Sequence, residues 1–200
     1  MNFKIGLIVL FLACSSAFAF DLTEGFSERS ILMQNLNGTS PKINPEQTEL
    51  LREKKLTPTT KCLNEEIKKG NIENVELLLN VVDPNRNYMS NYPIYIASKY
   101  NKFEIVKLLR QKGAKLNRGF YSELYEAVKN KNSEMAKYLI EEGARVDYKD
   151  AVTDNTILYV ALKNNMKDIA ALLIEKGARP DMQSVRYIHK HKLTDLIPSE

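Results

Sequence analysis

The sequence predicts an all-α solenoid of stacked helix-turn-helix units, and three observations carry that prediction. The stretch Tyr92-Pro93-Ile94-Tyr95 returns as Ser122-Glu123-Leu124-Tyr125 and as Thr156-Ile157-Leu158-Tyr159, with the last tyrosines 30 and 34 residues apart. Gly113, Gly143 and Gly177 keep the same two spacings, and each is followed by alanine. Between tyrosine and glycine the apolar residues recur at intervals of three and four, the signature of a helix with one buried face. A unit this small cannot bury its apolar face alone, so repetition along the chain predicts stacking.

The chain opens Met1-Asn2-Phe3-Lys4 and continues as an apolar run from Ile5 to Ala13, with Ala17 and Ala19 flanking Phe18. One cation, a short apolar stretch and an Ala-x-Ala site describe a secretory signal over residues 1–19, with cleavage releasing a chain that starts at Phe20. The run is too short to span a bilayer, so no membrane span is expected after its removal. Cys14 admits lipidation as an alternative, although Phe11 stands where such motifs usually have leucine.

Composition sets outer limits. Of 200 residues, 44% are apolar and 27% charged, which suits one ordinary domain with a real core. The formal charge of +4 falls to +3 without Lys4, too mild for a dedicated nucleic-acid binder. Removing the signal leaves Cys62 as the single cysteine, so no internal disulfide can form and Cys62 is expected as a buried small hydrophobe.

Residues 20–60 are expected to form a flexible leader, because Asn35 to Pro45 supplies the glycine, prolines and asparagines that interrupt periodic structure. One short helix is predicted over 45–55: Asn44 caps it, Pro45 takes its first position and Glu46 favours its dipole. Asn37-Gly38-Thr39 matches a glycosylation sequon, which matters only in a eukaryotic secretory pathway.

Four units are predicted over 61–183. The first is worn: Asn64 fills the tyrosine slot and Val82-Asp83-Pro84-Asn85 replaces the glycine turn. In the second, Pro93 starts a helix ending near Tyr100, Asn101-Lys102 turns, and Phe103 to Lys112 forms a second helix that Gly113 ends by adopting a left-handed conformation. Ile105, Leu108 and Leu109 share one face of that second helix; Met135, Tyr138 and Leu139, then Ile169, Leu172 and Leu173, take the same places later, and the stripe reads as core. Glu73, Glu104, Glu134 and Asp168 recur in the first turn of each second helix, where they favour the dipole. Residues 184–200 are expected to be a partial capping unit, with Val185 and Ile188 on one short helix and Leu193, Leu196 and Ile197 on another.

These residues resemble the ankyrin-repeat family, whose unit of about thirty-three residues carries TPLHxA before its first helix and GAD after its second. Tyr92 to Ala97 is the closest match, followed by Thr156 to Ala161 and Ser122 to Ala127. The resemblance implies a scaffold that binds other proteins through its turn tips and the inner face of its first helices, without a cofactor. The family's TPLH histidine is a polar hinge. Tyr95, Tyr125 and Tyr159 replace it, and their rings are expected to pack between repeats with their hydroxyls bonded to polar partners.

Aligning the units puts Lys68, Lys99, Lys129 and Lys163 in one column on the first helices. Lys115, Arg145 and Arg179 form a second column where the family has the aspartate of GAD. Two basic columns on one side predict a partner with an acidic surface. Tyr88, Tyr92, Phe120, Tyr121 and Tyr148 stand in the turns as aromatic anchors.

Chemistry has little footing. His189 and His191 are the only histidines, no Cys, Asp or Glu cluster joins them at ligand spacing, and no glycine pair cradles a phosphate. The expectation is therefore an exported, monomeric protein-binding adaptor, periplasmic or extracellular, with no catalytic residues, cofactor or metal. A secreted effector aimed at a host protein is the alternative, and an enzyme or metal protein a remote one.

Overall fold

The computed structural model describes residues 45–196. The predicted signal, the lipidation of Cys14, the sequon at Asn37, the cap at Asn44, most of the leader and Ile197 lie outside the described residues.

The described chain is helical, and its only β pairing among the described residues is two isolated bridges, Tyr88 with Asn91 and Lys149 with Thr156. Helix α1 (Pro45–Glu53) ends slightly earlier than expected, with Lys55 in the left-handed region at φ 54°. Leu51 is its buried residue and lodges it against the second helix of the first unit.

Four hairpins follow. They are α2 (Thr60–Lys69) with α3 (Ile72–Leu79), α4 (Pro93–Lys99) with α5 (Phe103–Gln111), α6 (Glu123–Lys129) with α7 (Ser133–Glu141), and α8 (Ile157–Lys163) with α9 (Lys167–Glu175). A last helix α10 (Met182–Lys190) and a 3-10 turn (Thr194–Leu196) close the described chain. The expected second capping helix is thus only a 3-10 turn, and α10 begins two residues before the predicted boundary because Asp181 caps it, accepting from the Ser184 amide at 2.9 Å.

Each hairpin turns by one left-handed residue. Gly70, Asn101, Lys131 and Asn165 have φ between 55° and 79°, and the amides after the last three bond back to Ala97, Ala127 and Ala161. Gly113, Gly143 and Gly177 close α5, α7 and α9 at φ 84°, 84° and 95°. There the amides of Ala114, Ala144 and Ala178 reach Leu109, Leu139 and Leu173 in a Schellman arrangement, at 2.8 to 2.9 Å. A Cβ at any of these three glycines would meet open space, so the backbone conformation alone selects glycine.

First helices α2, α4, α6, α8 and α10 pack side by side in one layer. In the second layer α3 packs on α5 and α7 on α9. Helices α5 and α7 meet through longer side chains: Phe103 lies edge-on to Tyr138 with ring centroids 5.6 Å apart, and the Arg110 Nε donates to Glu142 at 3.0 Å. The core runs between the layers, with Leu63, Leu78, Ile94, Leu109, Leu124, Leu139, Leu158 and Leu173 fully buried. The predicted stripe is buried at Ile105, Leu109, Met135, Leu139, Ile169 and Leu173, whereas Leu108, Tyr138 and Leu172 are only partly buried at its edge; Cys62 is buried and unbridged. The first-turn acids Glu73, Glu104, Glu134 and Asp168 sit where predicted.

Asparagines tie successive units together. The Asn85 side chain donates to the Gly113 carbonyl at 2.9 Å and accepts from the Lys115 amide at 2.8 Å. Asn117 repeats this one unit later with Gly143 and Arg145, at 3.1 and 2.9 Å. At the other end of the first helices, Asn130 donates to the Ser98 carbonyl and Asn164 to that of Val128, at 3.0 and 2.8 Å.

Candidate partner-binding face

The tyrosine slot organises this face. Tyr95 is buried, its ring stacked on Tyr121 at 5.0 Å, and its hydroxyl donates to Glu126 Oε1 at 3.3 Å. Burial, with the Glu126 carboxylate beside it, pushes the Tyr95 phenol well above its ordinary range. Tyr125 is also buried, edge-on to Tyr148 at 5.5 Å, with its oxygen 3.2 Å from Thr153 Oγ1. Thr153 is in turn held by Asp150, whose carboxyl those hydrogen bonds hold below the usual range. Tyr159 is half-buried and edge-on to Tyr187 at 6.3 Å. Each slot tyrosine therefore packs on a tyrosine of the following unit, and for Tyr95 and Tyr125 the hydroxyl has a polar partner.

Lys68, Lys99, Lys129 and Lys163 stand four residues after the slot, one helical turn on, and all four are exposed. Lys68 Nζ lies 5.7 Å from the Tyr100 ring centre and Lys99 Nζ 5.8 Å from that of Tyr95. Lys129 has the Glu126 carboxylate at 3.7 Å. The row thus follows the ring pairs along the stack.

The second column does not join it. Lys115, Arg145 and Arg179 are exposed, but they follow the glycine turns at the opposite end of the hairpins. Arg145 is among the charges acting on Glu123, the first residue of α6, whereas Lys129 is the last. Seven helical residues, about 10 Å, separate the two ends. The reason is topological: a tight turn sends each second helix back antiparallel to the first, so column positions sixteen residues apart emerge at opposite ends.

The turn aromatics divide. Phe120 is 85% exposed, and Tyr88 and Tyr121 are partly open at 39% and 46%. Tyr92 is partly buried, with the Arg118 guanidinium 5.8 Å from its ring centre. Tyr148 is not an available anchor: at 8% exposure it fills the space beside Tyr125, which the longer turn of the fourth unit lets it reach. Met89 and Val152, 77% and 92% exposed, join Phe120 as apolar turn tips. Sequence reasoning missed both, although they lie 31 and 32 residues from Phe120, close to the repeat period.

Among the described residues no group of three His, Cys, Asp or Glu side chains comes together as a metal site. His189 and His191 are exposed, and the His191 ring stacks on Tyr187 at 4.1 Å. No described helix is long and apolar enough to cross a membrane.

Comparison with curated proteins returns no match. Against protein families, residues 119–184 match the description "Ankyrin repeats (3 copies)" and residues 90–119 match "Ankyrin repeat". Helix hairpins closed by Gly-Ala turns, bonded unit to unit by asparagines and stacked through the TPLH slot, are the physical content of those matches, and the chain belongs to the ankyrin-repeat family of protein-binding scaffolds.

Proposed function

We propose that this chain is an exported adaptor that holds an acidic segment of another protein along the face bearing Lys68, Lys99, Lys129 and Lys163. The observation that carries this reading is the row itself: one exposed ammonium per unit, in one register, on rigid helices. Stacking holds the charges at fixed spacing, so their potentials add over a strip rather than scattering over the surface. Tyr88, which shares a pocket wall with Lys68, and Tyr121, which stacks on Tyr95 beside Lys99, border the strip as partly open aromatic surface, the residue type that anchors interfaces. Export rests on the sequence of residues 1–19.

A fluorescein-labelled polyglutamate peptide tests the face by anisotropy. The triple variant K99E/K129E/K163E should bind it at least about tenfold more weakly at low salt, and the steep salt dependence of the parent should vanish. Equal binding by parent and variant refutes the lysine row. Export is tested separately, by cell fractionation and by the intact mass of the exported chain, where a start at Phe20 is expected.

A further inference from the structure

The ring pairs stop at the first unit. Counting six residues back from each left-handed turn residue, Asn64 occupies the position of Tyr95, Tyr125 and Tyr159. Counting ten back, Asn91 occupies the position of Tyr121. Where the second and third units are joined by two stacked rings, the first and second therefore have two asparagines. The space those rings would fill is a pocket of 120 Å³, walled by Asn64, Tyr88, Met89, Asn91 and Ile96, with Lys61, Glu65 and Lys68 around it.

Three features of this pocket point to a guest. Its volume is close to that of a cavity of about 150 Å³ known to accept a benzene ring. Asn64 is a pocket wall only 4% exposed, with its Oδ1 buried and without a hydrogen-bond partner. With Oδ1 closed off, the Asn64 NH2 is the end of the amide open to the pocket, where it can donate to a guest oxygen. Lys61 and Lys68 place two exposed ammonium groups beside the pocket against the single carboxylate of Glu65, and Lys68 begins the lysine row. One wall is also preset: Met89 and Ser90, both non-glycine residues at positive φ (50° and 63°), form the two-residue tip between Tyr88 and Asn91, whose backbones exchange two hydrogen bonds of 3.0 Å.

We propose that this pocket receives a tyrosine side chain from an acidic segment of the partner protein, supplying the ring pair that the first unit lacks. The guest ring lies between Tyr88 and Ile96, its hydroxyl oxygen accepts from the Asn64 NH2, and the flanking acids of the segment meet Lys61 and Lys68. This inference rests on the acidic-partner reading above and adds the identity of the anchoring side chain.

The test uses the full chain and two fluorescein-labelled peptides, one with a single tyrosine between three glutamates on each side, the other with alanine in its place. The tyrosine peptide is expected to bind at least about tenfold more tightly. The N64Y variant fills the pocket with the side chain that the other three units carry, and should bind both peptides equally while still responding to K99E/K129E/K163E. In the parent chain, the methyl resonances of Met89 and Ile96 should shift on titration with the tyrosine peptide only. Equal binding of the two peptides by the parent overturns the pocket while leaving the lysine row standing, as does unchanged discrimination in folded N64Y. Failure of both peptides to bind overturns the pocket and the acidic-partner reading together.

Discussion

Replacing Tyr95 separates the two jobs its side chain performs. Tyr95→Phe keeps the ring on Tyr121 and removes only the hydroxyl that donates to Glu126 at 3.3 Å. A hydrogen bond to a charged group contributes about 1.5–3 kcal/mol, and the length of this one places the expected loss near 1.5 kcal/mol. Tyr95→Ala also removes a ring that is 95% buried and stacked, a truncation that costs about 3–5 kcal/mol. In a scaffold whose units contact only their neighbours, that loss falls on the junction of the second and third units, so urea unfolding of Tyr95→Ala should lose its single transition. The alkaline limb gives an independent reading. Because the folded protein raises the Tyr95 phenol, its contribution is intact below the ordinary tyrosine range near pH 10 and is lost as pH rises toward the raised value. Tyr95→Phe should flatten that decline relative to the parent. Urea midpoints for the three proteins from neutral to about pH 11 provide the assay. A Tyr95→Phe protein as stable as the parent, with the same alkaline slope, refutes the reasoning that the slot tyrosines hold the units together through both ring and hydroxyl.

Two further outcomes follow from the same stacking. Asn85→Ala removes the side chain that binds both the Gly113 carbonyl and the Lys115 amide, and should lower stability by about 1–2 kcal/mol in urea unfolding without moving acidic-peptide affinity. Glu123 is 1% exposed with Oε2 unpartnered, and burial raises its carboxyl despite its hydrogen bonds to the Glu123 and Asn117 amides and the nearby charges of Arg145 and Arg110. A raised carboxyl favours the neutral form in the fold, so its contribution is complete below the usual carboxylate range and declines as pH rises through the raised value. Glu123→Gln cannot ionise and should show a shallower fall in urea midpoint between about pH 4 and 8.

Much of the fold was legible because its signals are local. A positive-φ glycine after an apolar stripe, an acid in a first turn and a tyrosine at constant spacing each act within a few residues of where they are written. Pro93, Gly113, Glu104 and Leu109 accordingly sit where the sequence placed them. The lysine row was equally legible, since a fixed register on a repeated helix becomes a row once the helices stack.

What the sequence by itself determined is therefore the unit, its period, its buried stripe and the family they describe. Three things were decided only by the tertiary structure. Lys115, Arg145 and Arg179 lie apart from Lys99 and Lys129, because chain reversal in each hairpin sends neighbouring columns to opposite ends. Tyr148 is buried, because the extra residues of the fourth unit's turn let its ring reach Tyr125. The pocket at Asn64 exists because two short side chains, 27 residues apart in sequence, face the same gap where the next junction has two rings. Each of these depends on what one unit presents to the next, a relation between distant residues that local pattern does not contain.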